Sequence, residues 1–199
     1  MTSKVLSKTH TNEAEIKKSL FIGVCGRIDS ADHFFDFLAQ HQDLNATHNC
    51  WAFRVGQTYR FNDDGEPSGT AGKPILAAID GAGFDRIGAI VIRHYGGIKL
   101  GTGGLARAYG GTIAKNLQVA PWEQWIPTSE LHVQLPFEFS QLLFKVTEDH
   151  GGEAIDQTFN ETGVLAAVKI PDQQIKQFKK DLNNQTRGQV SFPDDANAS

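Results

Sequence analysis

The sequence predicts an α+β protein in two domains, residues 1–127 and 128–199, on three observations. Short apolar runs rich in β-branched residues alternate with amphipathic helical stretches along the chain. A segment carrying Pro121, Trp122, Trp125 and Pro127 interrupts that alternation and reads as a boundary. Beyond it the elements follow the order β-α-β-β-α-β, the ferredoxin-like arrangement.

Residues 15–28 read as one strand, on the apolar run Leu20, Phe21, Ile22, Val24 and Cys25. Asp29-Ser30 then supplies the cap of a helix carrying Phe34, Phe35, Phe37 and Leu38. Residues 47–55 alternate as a strand, with Asn49, Trp51 and Phe53 on one face and His48, Cys50, Ala52 and Arg54 on the other. Gly56-Gln57 turns the chain, and residues 58–61 return as the hairpin partner. Pro74, whose fixed φ suits a first helical turn, opens a helix over 74–80. Ile87, Ala89, Ile90, Val91 and Ile92 mark a buried strand over 86–95. A helix over 104–119 presents Leu105, Ala108, Tyr109, Thr112, Ile113 and Leu117 on its apolar face. Gly110 and Gly111 inside it each cost about 1 kcal/mol against alanine, which close packing on the sheet explains.

In the second domain the strands are expected over 131–136, 154–159, 164–170 and 189–192, and the helices over 138–149 and 172–184. The turn Asn160-Glu161-Thr162-Gly163 separates the middle strands, and a loose tail follows Pro193.

With 40% apolar and 21% charged residues the chain is globular rather than disordered. No apolar run approaches the roughly 18 residues that span a bilayer, and no apolar segment follows Met1-Thr2-Ser3-Lys4. A cytoplasmic protein without a membrane partner is therefore expected, with Cys25 and Cys50 as reduced thiols. Lys/Arg and Asp/Glu balance through Glu130, 13 against 13, whereas 6 face 10 beyond it, so the net charge of −4 comes from the second domain. Between Arg86 and Lys115 there are five basic residues and no acid, which points to an anionic partner for that stretch.

Three glycine clusters lie in the first domain, at 63–74, 95–105 and 110–111. The run Ser68–Pro74 invites comparison with a phosphate-binding P-loop, but Pro67 stands where the first glycine belongs and Pro74 where a Mg²⁺-binding hydroxyl belongs. Nucleotide hydrolysis is not expected there; a structural loop or an anion site at the helix start is. The segment 96–104 joins a strand to a helix N-terminus through glycines, which exposes backbone N–H donors. Lys73, Arg93, Gly96, Gly97, Lys99, Gly101, Gly103, Gly104 and Arg107 are the candidate phosphate or RNA contacts, with a purely structural turn as the alternative. The dinucleotide template fails, because Ala106 replaces its third glycine.

His48 and Cys50 share a strand face, but no second pair has ligand spacing, so no metal or cofactor is expected. Cys50 with His48 or His94 makes a thiol and base if the fold joins them; a half-buried cysteine is its ordinary fate. Asp63, Asp64 and Glu66 read by default as a solvated acidic turn, with Mg²⁺ binding or pairing to Arg93 or Lys99 as the other outcomes. Trp51, Phe53, Tyr59 and Phe61 either stack bases or pack under the helix at Pro74, the latter being the commoner arrangement.

Three stretches resemble the IMPACT family: Thr47-His48-Asn49-Cys50-Trp51, residues 63–76 and residues 95–110. The resemblance spans the first domain nearly end to end. It implies a first domain like the second domain of ribosomal protein S5, and a ferredoxin-like second domain resembling the last domain of elongation factor G. Eukaryotic relatives restrain an amino-acid-starvation kinase, and they carry an RWD-type domain with no counterpart in these residues, so kinase regulation is not expected. The resemblance implies a link to RNA, the ribosome or a translation factor, and supplies no catalytic residues. The expected activity is non-catalytic binding to one of those partners, with possible regulation of translation. An enzyme acting on a small phosphorylated or peptide substrate in a glycine-rich cleft, and a protein-docking module, are the alternatives.

Overall fold

Antiparallel sheets backed by helices account for most of residues 3–161 and 163–196, which the computed structural model describes. The chain divides into two units, Thr2–Trp125 and Ile126–Ser199. Among the described residues no helix is long and apolar enough to cross a membrane.

The first unit contains β1 (Ser3–Leu6), β2 (His10–Ile16), β3 (Ser19–Arg27), α1 (Ala31–His41), β4 (His48–Val55), β5 (Thr58–Asn62), α2 (Gly72–Ala82), β6 (Ile87–His94), α3 (Thr102–Val119) and β7 (Trp122–Trp125). Its main sheet runs β2-β3-β6-β4-β5, and β1 pairs with β7. Where the sequence implies one strand over 15–28, the chain makes a hairpin. β2 ends at Ile16, Lys17 and Lys18 turn with φ of 47° and 64°, and β3 begins at Ser19. Positive φ is uncommon for lysine, so the turn carries no glycine or asparagine to announce it. The segment 121–127, within which the two units divide, also holds β7, and Arg86 lies 4.0 Å over the Trp125 ring.

The period-two pattern of β4 sends its residues to different helices. Trp51 and Phe53 meet Phe34 of α1, with ring centroids 4.9 and 4.7 Å apart. These two aromatics therefore pack under α1, not under the helix that carries Pro74. Cys50 and Ala52 face α2 and α3, where Phe21 meets Tyr109 edge-on at 5.3 Å. Burying aromatics of this kind contributes about 1.5–3 kcal/mol each. Tyr59 and Phe61 remain exposed on the edge strand β5.

α1 starts as its sequence implies: the Ser30 hydroxyl accepts the His33 N–H at 3.0 Å. α3 holds a polar anchor that its periodicity conceals. Asn116, fully buried, places Nδ2 3.1 Å from the His10 carbonyl, 3.0 Å from Asn12 Oδ1 and 3.1 Å from the Gly23 carbonyl. It ties the helix to β2 and β3. Of the two mid-helix glycines only Gly110 is crowded: a Cβ there would lie 3.2 Å from the Pro74 carbonyl oxygen, whereas Gly111 faces open space.

The second unit contains β8 (Thr128–Leu135), α4 (Ser140–Asp149), β9 (Glu153–Asn160), β10 (Gly163–Pro171), α5 (Ile175–Gln185) and α6 (Pro193–Ala196). Its sheet runs β8-β10-β9, and Val133, Leu143, Val146, Val168, Phe178 and Leu182 form its core. Thr162, at the expected turn, lies outside the described residues. The strand expected over 189–192 is reduced to a single bridge between Ser191 and Gln134. Within the expected tail, Pro193–Ala196 form α6, where the Asp194 carboxylate accepts the His132 backbone N–H at 2.8 Å, and residues 197–199 lie outside the described residues. That bond holds the exposed Asp194 carboxyl below the usual range.

Candidate functional site

The acidic cluster is structural at one end and buried at the other, not a solvated turn. Asp63 accepts backbone N–H bonds from Gly69 at 2.8 Å, Ala71 at 3.0 Å and Gly72 at 2.8 Å. Its carboxylate therefore takes the position an external anion would need at the start of α2. Gly72 sits so close to β5 that an added Cβ would lie 2.7 Å from the Asn62 carbonyl oxygen. Asp64 accepts the Asn49 backbone N–H at 2.5 Å, which joins the loop to β4.

Glu66 goes inward: its side chain is 4% exposed. Its Oε1 accepts the Tyr109 hydroxyl at 2.7 Å and forms a close ion pair with Arg93 Nη1. His48 Nε2 lies 3.7 Å from the same oxygen. His48 Nδ1, 2.6 Å from the Asp64 carbonyl oxygen, is the protonated nitrogen, because a carbonyl can only accept. The Arg93 guanidinium also lies about equally close to the Phe21 and Tyr95 rings, at 5.4 and 5.3 Å.

Cys50 stands behind this group, fully buried, with Sγ donating to the Asp63 carbonyl at 3.0 Å. Burial pushes its thiol up to about 12, and the Glu66, Asp64 and Asp63 carboxylates push the same way. That is the reverse of an activated nucleophile. Burial likewise raises the Tyr109 hydroxyl far above its ordinary value. His94 is not part of the group. Adjacent to Arg93 on β6, it points to the opposite sheet face and pairs with Asp43 at 3.3 Å.

Arg93, Glu66 and His48 supply the polar lining of a cleft of about 460 Å³. Tyr95, Leu100 and Leu105 give it apolar walls, and Lys99, Gly101 and Thr102 reach it from the glycine-rich loop.

The candidate phosphate contacts distribute unevenly around it. Lys99 and Gly101 line the cleft. Arg93 does too, but it is 4% exposed and its charge is matched by Glu66, so it is not an open surface cation. Gly96 donates its N–H to Ser19 Oγ at 3.1 Å and packs onto the β2–β3 turn, where a Cβ would lie 1.8 Å from the Lys18 carbonyl oxygen; its donor is already engaged. Gly97 is exposed, with φ of 84° and open space around it. Gly103 and Gly104 form the first turn of α3, which has no side-chain cap. Arg107 lines a neighbouring cleft of about 230 Å³ with Lys17 and Gly104. Lys73 is exposed on the first turn of α2 and lines neither cleft.

Of the five cations in the acid-free stretch, Arg86 pairs with Asp29 and Arg93 with Glu66. Two others take their place near the glycine loop, Lys17 and Lys18, which sheet pairing and the Gly96 contact bring there. Lys17, Lys18, Lys99 and Arg107 are exposed and have no ion pair among the described residues.

Residues 17–117 match the Impact N-terminal domain. An IMPACT family member from Thermus thermophilus is 39% identical over 156 residues, covering 78% of this chain and 86% of the relative. The IMPACT family member YigZ of Escherichia coli is 36% identical over 187 residues, covering 89% of this chain and 90% of the relative. A solved crystal structure of a hypothetical protein superposes with a TM-score of 0.70 at 32% identity and covers 96% of both chains. The matched region contains the Asp63 loop, the buried Glu66–Arg93 pair and the start of α3, and by that match and its near full-length relatives the chain belongs to the IMPACT family.

Proposed function

We propose that this chain is a cytoplasmic RNA-binding protein that acts on translation, and that its first unit grips single-stranded RNA by the phosphates. One observation carries the reading: four exposed cations with no ion pair among the described residues lie along the glycine loop, Lys17, Lys99 and Arg107 lining the clefts at the uncapped start of α3 and Lys18 beside Gly96. Backbone N–H groups of Thr102, Gly103 and Gly104 point out of a helix N-terminus, where partial positive charge favours an anion. Gly97 and Gly101 keep the approach free of side chains. Arg93 supports the site from within, as the partner of Glu66, rather than touching phosphate. In the same reading the first unit is of the ribosomal protein S5 domain-2 type. The order β8-α4-β9-β10-α5, with Ser191 bridged to the outer edge of β8, supports a ferredoxin-like second unit resembling the last domain of elongation factor G.

The test is a salt series of single-stranded RNA and ribosome binding by the full chain. Each phosphate contact contributes a slope of about 0.7 in the logarithm of affinity against the logarithm of salt. Lys99→Ala with Arg107→Ala should lower that slope by about 1.4 and weaken every RNA sequence alike. Salt-independent binding, or an unchanged slope in the folded double variant, refutes the site.

A further inference from the structure

We propose that β5 is a base-stacking platform, where Tyr59 and Phe61 each take one base of the single strand whose phosphates the glycine loop holds. The proposal rests on the RNA-binding reading and adds to it a contact with the bases, which phosphate binding alone does not make.

All five residues of β5 are exposed, and the strand is an outer edge of its sheet. Proteins commonly blunt such an edge with charge. Here two large rings stand on it, Tyr59 at 52% and Phe61 at 42% exposed. They pair with Arg54 and Ala52, so they share one face of the sheet, about 6.7 Å apart along the strand. A lone exposed aromatic is ordinary, whereas neighbouring rings on one face offer two stacking surfaces.

The charges beside the rings select the occupant. Arg60 lies between them in sequence, and Lys73 follows Gly72, which packs on Asn62 at the Phe61 end of the strand. Both cations are exposed and have no ion pair among the described residues. Asp80, at the Tyr59 end, is matched: Arg54 binds its carboxylate at 2.7 Å and lies 5.3 Å over the Tyr59 ring. Aromatics interleaved with unmatched cations suit a polyanion that carries flat π-faces, and single-stranded RNA has one such face per nucleotide. An added peptide strand suits the edge less well, because Gly72 crowds the backbone N and O of Asn62 and leaves only residues 58–61 to pair.

The platform is within reach of the cationic rim. His48, which lines the cleft beside Lys99, shares its sheet face with Ala52, the partner of Phe61. Four residues along β4 separate His48 from Ala52, about 14 Å, so one short strand of RNA touches both places.

Fluorescence anisotropy of the full chain with labelled octauridylate, and with an octamer of abasic ribose phosphates, tests this without any change to the protein. The two probes have the same backbone charge, so phosphate contacts treat them alike, and octauridylate should bind about tenfold more tightly. Tyr59→Ala with Phe61→Ala should remove that advantage without changing the salt slope, while Tyr59→Phe, which keeps a ring, should preserve it. Lys73→Ala should weaken both octamers together and lower the slope by about 0.7. Equal affinity for the two octamers overturns the stacking and leaves phosphate binding standing. Unchanged octauridylate affinity in the folded double variant overturns the assignment to β5 and gives that edge to another occupant, such as a peptide strand. No binding of either octamer at low salt removes the RNA reading and the platform with it.

Discussion

Glu66 and Arg93 form a charge pair that the fold cannot afford to halve. Their side chains are 4% and 5% exposed, so neither charge can turn to water when the other is removed. Breaking such a pair from one side costs about 3–5 kcal/mol, because the survivor stays buried and unmatched. Arg93→Met strands the Glu66 carboxylate with only the Tyr109 hydroxyl as donor among the protein's close contacts, His48 being 3.7 Å away. Glu66→Gln keeps an acceptor for Tyr109 but leaves the guanidinium uncompensated, so about 3 kcal/mol is the expected loss. The double variant Glu66→Gln/Arg93→Met removes both charges and should cost less than the sum of the singles by about 1–3 kcal/mol. Urea unfolding followed by tryptophan fluorescence isolates the effect, since Trp51, Trp122 and Trp125 all belong to the first unit. A loss below about 1 kcal/mol in either single variant, or strict additivity in the double, would show that the pair is solvated and the reasoning wrong.

Three further outcomes concern the Asp63 loop and the two cysteines. Asp63→Ala frees three backbone N–H groups and uncaps α2, and should cost about 2 kcal/mol, with amide exchange accelerated first at Gly69, Ala71 and Gly72; unchanged exchange there would contradict the cap. Cys25 and Cys50 are fully buried, so a thiol reagent should modify neither in the native state and both after unfolding. The Cys50 thiol has its folded value raised from 9.0 to about 12, so the folded state keeps a proton that the unfolded chain releases. Stability from this group is complete below pH 9 and declines as pH rises toward 12. Cys50→Ala should reduce that decline by the linkage of one proton, about 1.4 kcal/mol per pH unit; the same slope in the variant would assign the decline to other groups.

Elements whose information is local were legible in the sequence. Ser30, the alternation of β4 and the apolar face of α3 each state their structure within a few residues, and the elements stand where the pattern puts them. The β2–β3 hairpin was not legible, because its turn is Lys17-Lys18 and β2 is a half-exposed polar strand. Neither was the choice of helix over Trp51 and Phe53, since alternation separates two faces without saying what covers each. At the site, the glycine loop and Lys99 could be found from pattern. The pairing of Glu66 with Arg93 was one of three readings, and the solvated turn that outranked it ignored how far the sheet carries the chain. Asn116 sat on an apolar helix face, and nothing nearby marked it as the anchor of three carbonyl and amide groups.

The glycines and the charges answer one question between them: whether a glycine-rich, basic stretch packs on its own chain or waits for a ligand. Gly72 and Gly96 pack on their own chain, against Asn62 and Lys18, so their lack of a side chain is consumed by the fold. Gly97 and Gly101 do not; both have positive φ and open space, which places glycine there for the backbone path alone and leaves the loop bare. The cations divide the same way. Arg86 and Arg93 are matched inside the unit, while Lys99 and Arg107 stand unmatched around the bare part of the loop. If the stretch were only structural, the unmatched charges would have no reason to gather where the unmatched backbone is. Lys17 and Lys18 make the point independently, because they come from a different hairpin and are delivered to that place by the Gly96 contact. The packed glycines thus assemble the cationic rim, and the open ones expose it.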